Sequence, residues 1–321
     1  MTLTTADDTA LKLHFDGLGR LWFLDGPKQA KELSRPIDEF LCEKTYQVSP
    51  VVRVLGTQAN AALISRLHQE AKLGGPAVEV ATPLVCATEA ERNNPIMALE
   101  AMRRALLPAS LGGWHILTDV EAISYELAVY AQQAGDAVLP LEALALFRRH
   151  PAYAALSFIR TVDEEAACRL VAEILDPRWF VDLRHPDRRA KLESYLGVCP
   201  HGISEAASPV PTVKGRRCRL VLRSWQWQEL PAAYAFPLEP EALGTHPRDF
   251  LWRIWDQTGR GERGALRACQ KLLQFVKAVW LDSLYLLKQQ REPLFVPEHF
   301  FRTEECAAYQ EHRKQLAGCS G

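Results

Sequence analysis

The chain lacks the short signatures that announce a chemistry. No H-E-x-x-H, G-x-S-x-G or G-x-x-x-x-G-K-[ST] occurs, which argues against zincin, α/β-hydrolase and P-loop mechanisms. No stretch of about eighteen uninterrupted apolar residues is present, so no helix is expected to span a bilayer. The 8 cysteines form no C-x-x-C and no paired spacing. Asp7 and Asp8 stand where a secretory signal would place basic residues and an apolar run. Together these absences predict reduced, mostly buried thiols and a cytoplasmic protein.

Metal ligands are also sparse. Cys199-Pro200-His201 and the set Cys306, His312 and Cys319 contain ligand types without the close pairs of a tetrahedral zinc site. Glu70-Ala71-Lys72 has the spacing of a metal-dependent nuclease motif, yet it falls in a helical pattern with no strand to present carboxylates. His150, His185 and His246 each precede proline, where loops and helix ends account for them. No catalytic group, metal or cofactor is assigned.

What is present is ordinary globular composition, 48% hydrophobic and 24% charged over 321 residues, which disfavours disorder, collagen and coiled coil. Formal net charge is -1. The distribution is uneven: residues 1–150 hold 14 Lys+Arg against 18 Asp+Glu, while residues 214–292 hold 14 against 8. Attraction to a polyanion depends on such local fields, not on the total. Arginine outnumbers lysine 27 to 11, a bias that points to a GC-rich bacterial gene.

The pattern predicts an α+β fold, predominantly helical. Residues 11–25 alternate around Asp16-Gly17, so a tight hairpin is expected there. Val51–Leu55 and Ala77–Ala81 read as further strands, with a helix over Thr57–Leu73 stopped by Gly74-Gly75-Pro76. A helical middle follows: Ile96–Leu107, a helix capped by Thr118 and Glu121, Leu141–Arg149, a helix with a capping pair at Thr161 and Glu164, and Asp187–Leu196. Residues 199–213 read as a linker, dividing a domain of residues 1–198 from a basic, Trp-rich domain of residues 214–321. The latter is expected to hold a short strand pair over Arg217–Gln228, a helix from Phe250, a long helix over Ala265–Lys288, and a tail whose Phe295, Phe300 and Phe301 pack back onto the body.

Two charge patterns carry the functional expectation. Gly259-Arg260-Gly261-Glu262-Arg263-Gly264 matches G-x-G-x-x-G, but the residues before it have helical spacing, so a helix–turn–helix connection is preferred to a dinucleotide loop. In the helix that follows, Arg263, Arg267, Lys271, Gln274, Lys277 and Lys288 share a sector with Arg260, opposite Leu272, Leu273, Val276 and Trp280. A single basic stripe is the footprint of a phosphate-backbone contact, and its competing reading is a solvated face. Upstream, Lys214, Arg216, Arg217, Arg219 and Arg223 lead into Trp225 and Trp227, a mixture suited to single-stranded nucleic acid or to a Trp core lined by arginine stems.

The expectation is a non-catalytic subunit that binds nucleic acid through Lys214, Arg216, Arg217, Arg219, Arg223, Trp225, Arg260, Arg263, Arg267 and Lys271. The alternative is an adaptor in a bacterial multi-protein assembly that meets a protein partner through exposed tryptophans. A third class is an enzyme whose residues, among them Asp182, His185 or His201, converge only in three dimensions.

Overall fold

The computed structural model describes residues 11–15, 21–25, 29–33, 51–81, 115–160, 162–180, 192, 246–258, 261–286 and 295–318. They belong to two units, Met1–Gly135 and Asp136–Gly321. Helix dominates the described residues, beside one six-stranded sheet. The expected linker over residues 199–213, the helices over 96–107 and 187–196 (apart from Leu192, which is helical) and the strand pair over 217–228 lie outside the described residues.

In the first unit the strands are β1 (Leu11–Phe15), β2 (Leu21–Asp25), β3 (Gln29–Glu32), β4 (Val51–Leu55), β5 (Ala77–Ala81) and β6 (His115–Ile116), in the order β3-β2-β1-β4-β5-β6. β4 lies parallel to β1 and to β5, and the remaining neighbours are antiparallel. A parallel pair needs a crossover, which helix α1 (Ala61–Lys72) supplies between β4 and β5. Val52, Val54, Val78 and Val80 share one parity and are buried. Out of phase with them, Arg53 and Glu79 sit opposite one another in register and pair at 2.7 Å.

The hairpin forms, but not through a two-residue turn at Asp16-Gly17. Phe15 pairs with Leu21, which leaves residues 16–20 as the connection. A two-residue turn would have set Arg20 opposite the buried Leu13, whereas the observed register sets Phe23 there. β3 and β6, absent from the sequence expectation, are the sheet edges. β3 is polar and exposes Lys31 and Glu32, and β6 is two residues long, so neither has an alternating signature of its own.

Helix α2 (Asp119–Ala134) begins with the expected capping box: Thr118 Oγ1 accepts from the Glu121 N–H, and Glu121 Oε2 accepts from the Thr118 N–H at 2.8 Å. Its first residue is clamped by α1, because Asp119 Oδ1 meets His68 Nε2 at 2.9 Å and Lys72 Nζ at 2.8 Å. α1 stops at Gly74, whose φ of +93° suits glycine.

The second unit contains α3 (Leu141–Phe147), α4 (Tyr153–Leu156), α5 (Glu164–Ile174), α6 (Phe250–Gln257), α7 (Gly261–Leu286) and α8 (Thr303–Gly318), with single 3-10 turns at Pro177–Phe180, Pro247–Asp249 and Pro297–His299. The cap of α5 is Asp163, which accepts from the Ala166 N–H, and not the expected Thr161–Glu164 pair. Glu164 instead forms a two-pronged pair with Arg148, and Asp163, Glu164 and Glu165 complement the helix dipole. The two described His-Pro dipeptides share one geometry. His150 Nδ1 accepts from the Ala152 N–H and His246 Nδ1 from the Arg248 N–H, both at 3.1 Å, so each imidazole caps a turn.

The tail does pack back. Phe295 and Phe301 are buried, and Phe275 of α7 gathers Phe250, Phe295, Phe300, Phe301 and Tyr309 at centroid distances of 5.0–5.7 Å. A buried fork joins α6 to α8: Arg253 Nε and Nη2 donate to Glu305 Oε1 and Oε2 at 2.8 and 2.7 Å. Glu305 Oε2 also accepts from the Arg302 N–H, capping α8. At the turn between α6 and α7, a Cβ on Gly264 would lie 2.7 Å from the Trp255 carbonyl oxygen.

Two outcomes follow for stability. Gly264→Ala is expected to destabilise by roughly 1–3 kcal/mol despite alanine's better helix propensity, because backbone must move; chemical denaturation measures it. Glu305→Ala is expected to cost about 3–5 kcal/mol by stranding Arg253, whereas Arg253→Met with Glu305→Gln, which keeps the cap, recovers most of the loss.

Candidate nucleic-acid interface

Helix α7 has the two-sided character its sequence predicts. Ala268, Cys269, Leu272, Leu273, Phe275, Val276, Val279 and Trp280 are buried, while Arg267 is exposed and Lys271, Gln274 and Lys277 are half-buried. The helix starts at Gly261, four residues before the expected Ala265, so Arg263 lies within its first turn. Residues 287–288, with Lys288, lie outside the described residues, as does Arg260.

The turn before α7 connects two helices. The segment ahead of it is α6, not a strand, so the G-x-G-x-x-G match has no dinucleotide context, and Gly264 serves the close approach to Trp255.

Within the stripe, Arg267 and Lys271 stand one turn apart. Burial and the nearby Arg267 charge lower the Lys271 pKa below its usual range. Its ammonium lies 5.9 Å from the Phe300 centroid, so the tail ring supports one side of this lysine. Like charges four residues apart repel, and an anion bridging them would relieve that repulsion. Asp282, on the same helix, accepts from the Phe295 N–H at 3.5 Å and so helps to seat the tail. Phe300 was not among the expected interface residues. Its signal in the sequence is the aromatic run of the tail, but nothing there shows that it meets α7.

The first cluster, Lys214, Arg216, Arg217, Arg219, Arg223 and Trp225, lies outside the described residues, as do Trp227, Asp182, His185 and His201. Trp255 and Trp280 belong to the core, and Trp252 is half-buried with its ring 6.1 Å from that of Trp255. Glu70, Ala71 and Lys72 lie in α1, as their helical spacing predicts.

Other chemistry-bearing groups are occupied structurally. Among the described residues no cluster of His, Cys, Asp or Glu could hold a metal ion, and no helix is long and apolar enough to cross a membrane. Cys168, Cys269 and Cys306 are buried, and desolvation pushes the Cys168 thiol up to about 12, which suppresses its thiolate. Cys306 Sγ contacts the Phe301 carbonyl and His312 meets Ser157, so these two side chains of α8 have different partners.

Among the described residues, His150 is the most perturbed imidazole. It is buried against Trp280, ring centroids 4.3 Å apart at 89°, and desolvation lowers its pKa to about 3. Comparison with protein-family models, curated proteins and solved structures gives no significant match in any of the three.

His150 generates a pH prediction. Its folded pKa lies below the ordinary 6.5, so between about 3 and 6.5 the unfolded chain binds more protons and stability falls with falling pH. From pH 7 to 5 this group is expected to remove about 2 kcal/mol. His150→Asn, which can still cap the turn, should flatten that part of the stability profile measured by denaturation at each pH.

Proposed function

We propose that the protein binds nucleic acid through the phosphate backbone, with the exposed face of α7 as one contact surface. The observation that carries the reading is the Arg267–Lys271 pair, held one helical turn apart on a rod whose opposite side is anchored in the core. A rigid helix fixes the spacing of the two cations, and phosphates spaced along a strand can neutralise both at once. The basic, tryptophan-bearing segment Lys214–Trp225 is the second contact in this reading, supported by its sequence alone. Arg260 and Arg263 join this contact in the reading on the strength of their sequence positions alone.

A protein partner is the second reading. Val138 and Leu141, three residues apart, are 78% and 80% exposed, an apolar pair of the kind that a partner covers. Stoichiometric co-purification with one protein and no nucleic-acid absorbance would favour it.

Fluorescence anisotropy with a labelled oligonucleotide tests the first reading. Affinity is expected to fall linearly with salt on logarithmic axes, and Arg267→Ala and Lys271→Gln are each expected to reduce the slope by about 1. A flat salt response, or slopes unchanged by both substitutions, overturns it.

A further inference from the structure

Lys271 sits on α7 with an apolar ring on one side and a like charge on the other. It is half-buried, and its neighbours in the chain, Gln270 and Leu272, turn into the interior. The Lys271 ammonium lies 5.9 Å from the Phe300 centroid, and that ring is itself held by Phe275 and Phe295 at 5.6 and 5.7 Å. The wall beside the amine is therefore fixed by packing. Lys72 shows the ordinary alternative, since Asp119 holds its ammonium at 2.8 Å. No carboxylate stands within ion-pair distance of Lys271 among the described residues.

The charge that acts on Lys271 is Arg267, one turn earlier on the same helix. Side chains four residues apart on a helix have Cβ atoms about 5–6 Å from one another, so the two cations share one small area of surface. Arg267 is exposed, and its guanidinium makes no ion pair with the described residues. It is open to an anion from solution.

An amine attacks carbonyl carbon only when unprotonated, and a lysine reaches that state through desolvation or a neighbouring cation. Lys271 has both: burial is the larger cause of its lowered pKa and Arg267 the smaller. The ring of Phe300 adds an apolar surface against which the carbon skeleton of a ligand can lie.

We propose that Lys271 is a nucleophilic lysine that forms a Schiff base with a small aldehyde or ketone bearing an anionic group, which Arg267 receives. After the ammonium gives one proton to solvent, the Nζ lone pair attacks the carbonyl carbon. The carbonyl oxygen takes up two protons and leaves as water, and the second Nζ–C bond forms as the C–O bond breaks. No oxidant or reductant is consumed. A guanidinium suits the anionic group because its planar N–H donors bind carboxylate or phosphate oxygens in pairs. The inference does not depend on nucleic-acid binding by α7.

The full chain is treated with pyridoxal 5′-phosphate, reduced with sodium borohydride and mapped by peptide mass spectrometry, without any oligonucleotide present. Lys271 is expected to be labelled roughly threefold or more faster than Lys72 and Lys314. Pyridoxal, which carries the aldehyde without the phosphate, is expected to show a smaller preference for Lys271 over Lys314. Arg267→Gln is expected to slow labelling of Lys271 by pyridoxal 5′-phosphate while leaving Lys72 and Lys314 unchanged. The proposal is overturned if Lys271 is labelled no faster than those two lysines, if both aldehydes show the same preference, or if Arg267→Gln changes nothing.

Discussion

The fork between Arg253 and Glu305 is the interaction on which the order of the second unit depends. It joins a short helix to one some fifty residues further along the chain, with both charges nearly out of water. Desolvating such a pair is costly, and the cost is offset because all four atoms of the fork are matched and Glu305 also caps its own helix. Once α8 is fixed, the aromatic residues before it must lie against Phe275 and Phe250. The apolar side of α7 is covered by the same act. Its polar side is therefore presented by packing and not by any preference of the helix itself.

This arrangement separates the roles of the basic residues. Arg253 is consumed by a buried carboxylate, and Arg148 by Glu164, so they contribute to the fold before they contribute to any field. Arg267 and Lys271 are different, since they add like charge to one face at the cost of a lowered Lys271 pKa. A count of basic residues along the chain mixes these two kinds. Only the first kind reports on stability, and only the second on attraction to an anion.

Local signals in the sequence were legible where a short stretch settles its own geometry. The Thr118–Glu121 capping box, the glycine stop after α1, the valine parity of β4 and β5, and the two sides of α7 all follow from residues within a few positions of one another. Expectations failed where a distant partner decided. The Asp16-Gly17 turn yields to the pairing of Leu13 with Phe23, and β3 exists because β2 offers it hydrogen bonds. The candidate site divides the same way. Arg267 and Lys271 could be placed by helical period, whereas Phe300 beneath Lys271 could not.

The sequence by itself determined the periodicities: which residues of a helix or strand share a face, where caps and glycine stops fall, and that basic residues concentrate late in the chain. Those properties depend on backbone geometry over one or two turns, which repeats regardless of surroundings. Tertiary structure decided which charges are neutralised, which rings touch and which glycine must remain glycine, as Gly264 must beside Trp255. Such outcomes depend on distances between atoms far apart in the chain, and burial multiplies the energy of each one, so they are written only in the folded arrangement.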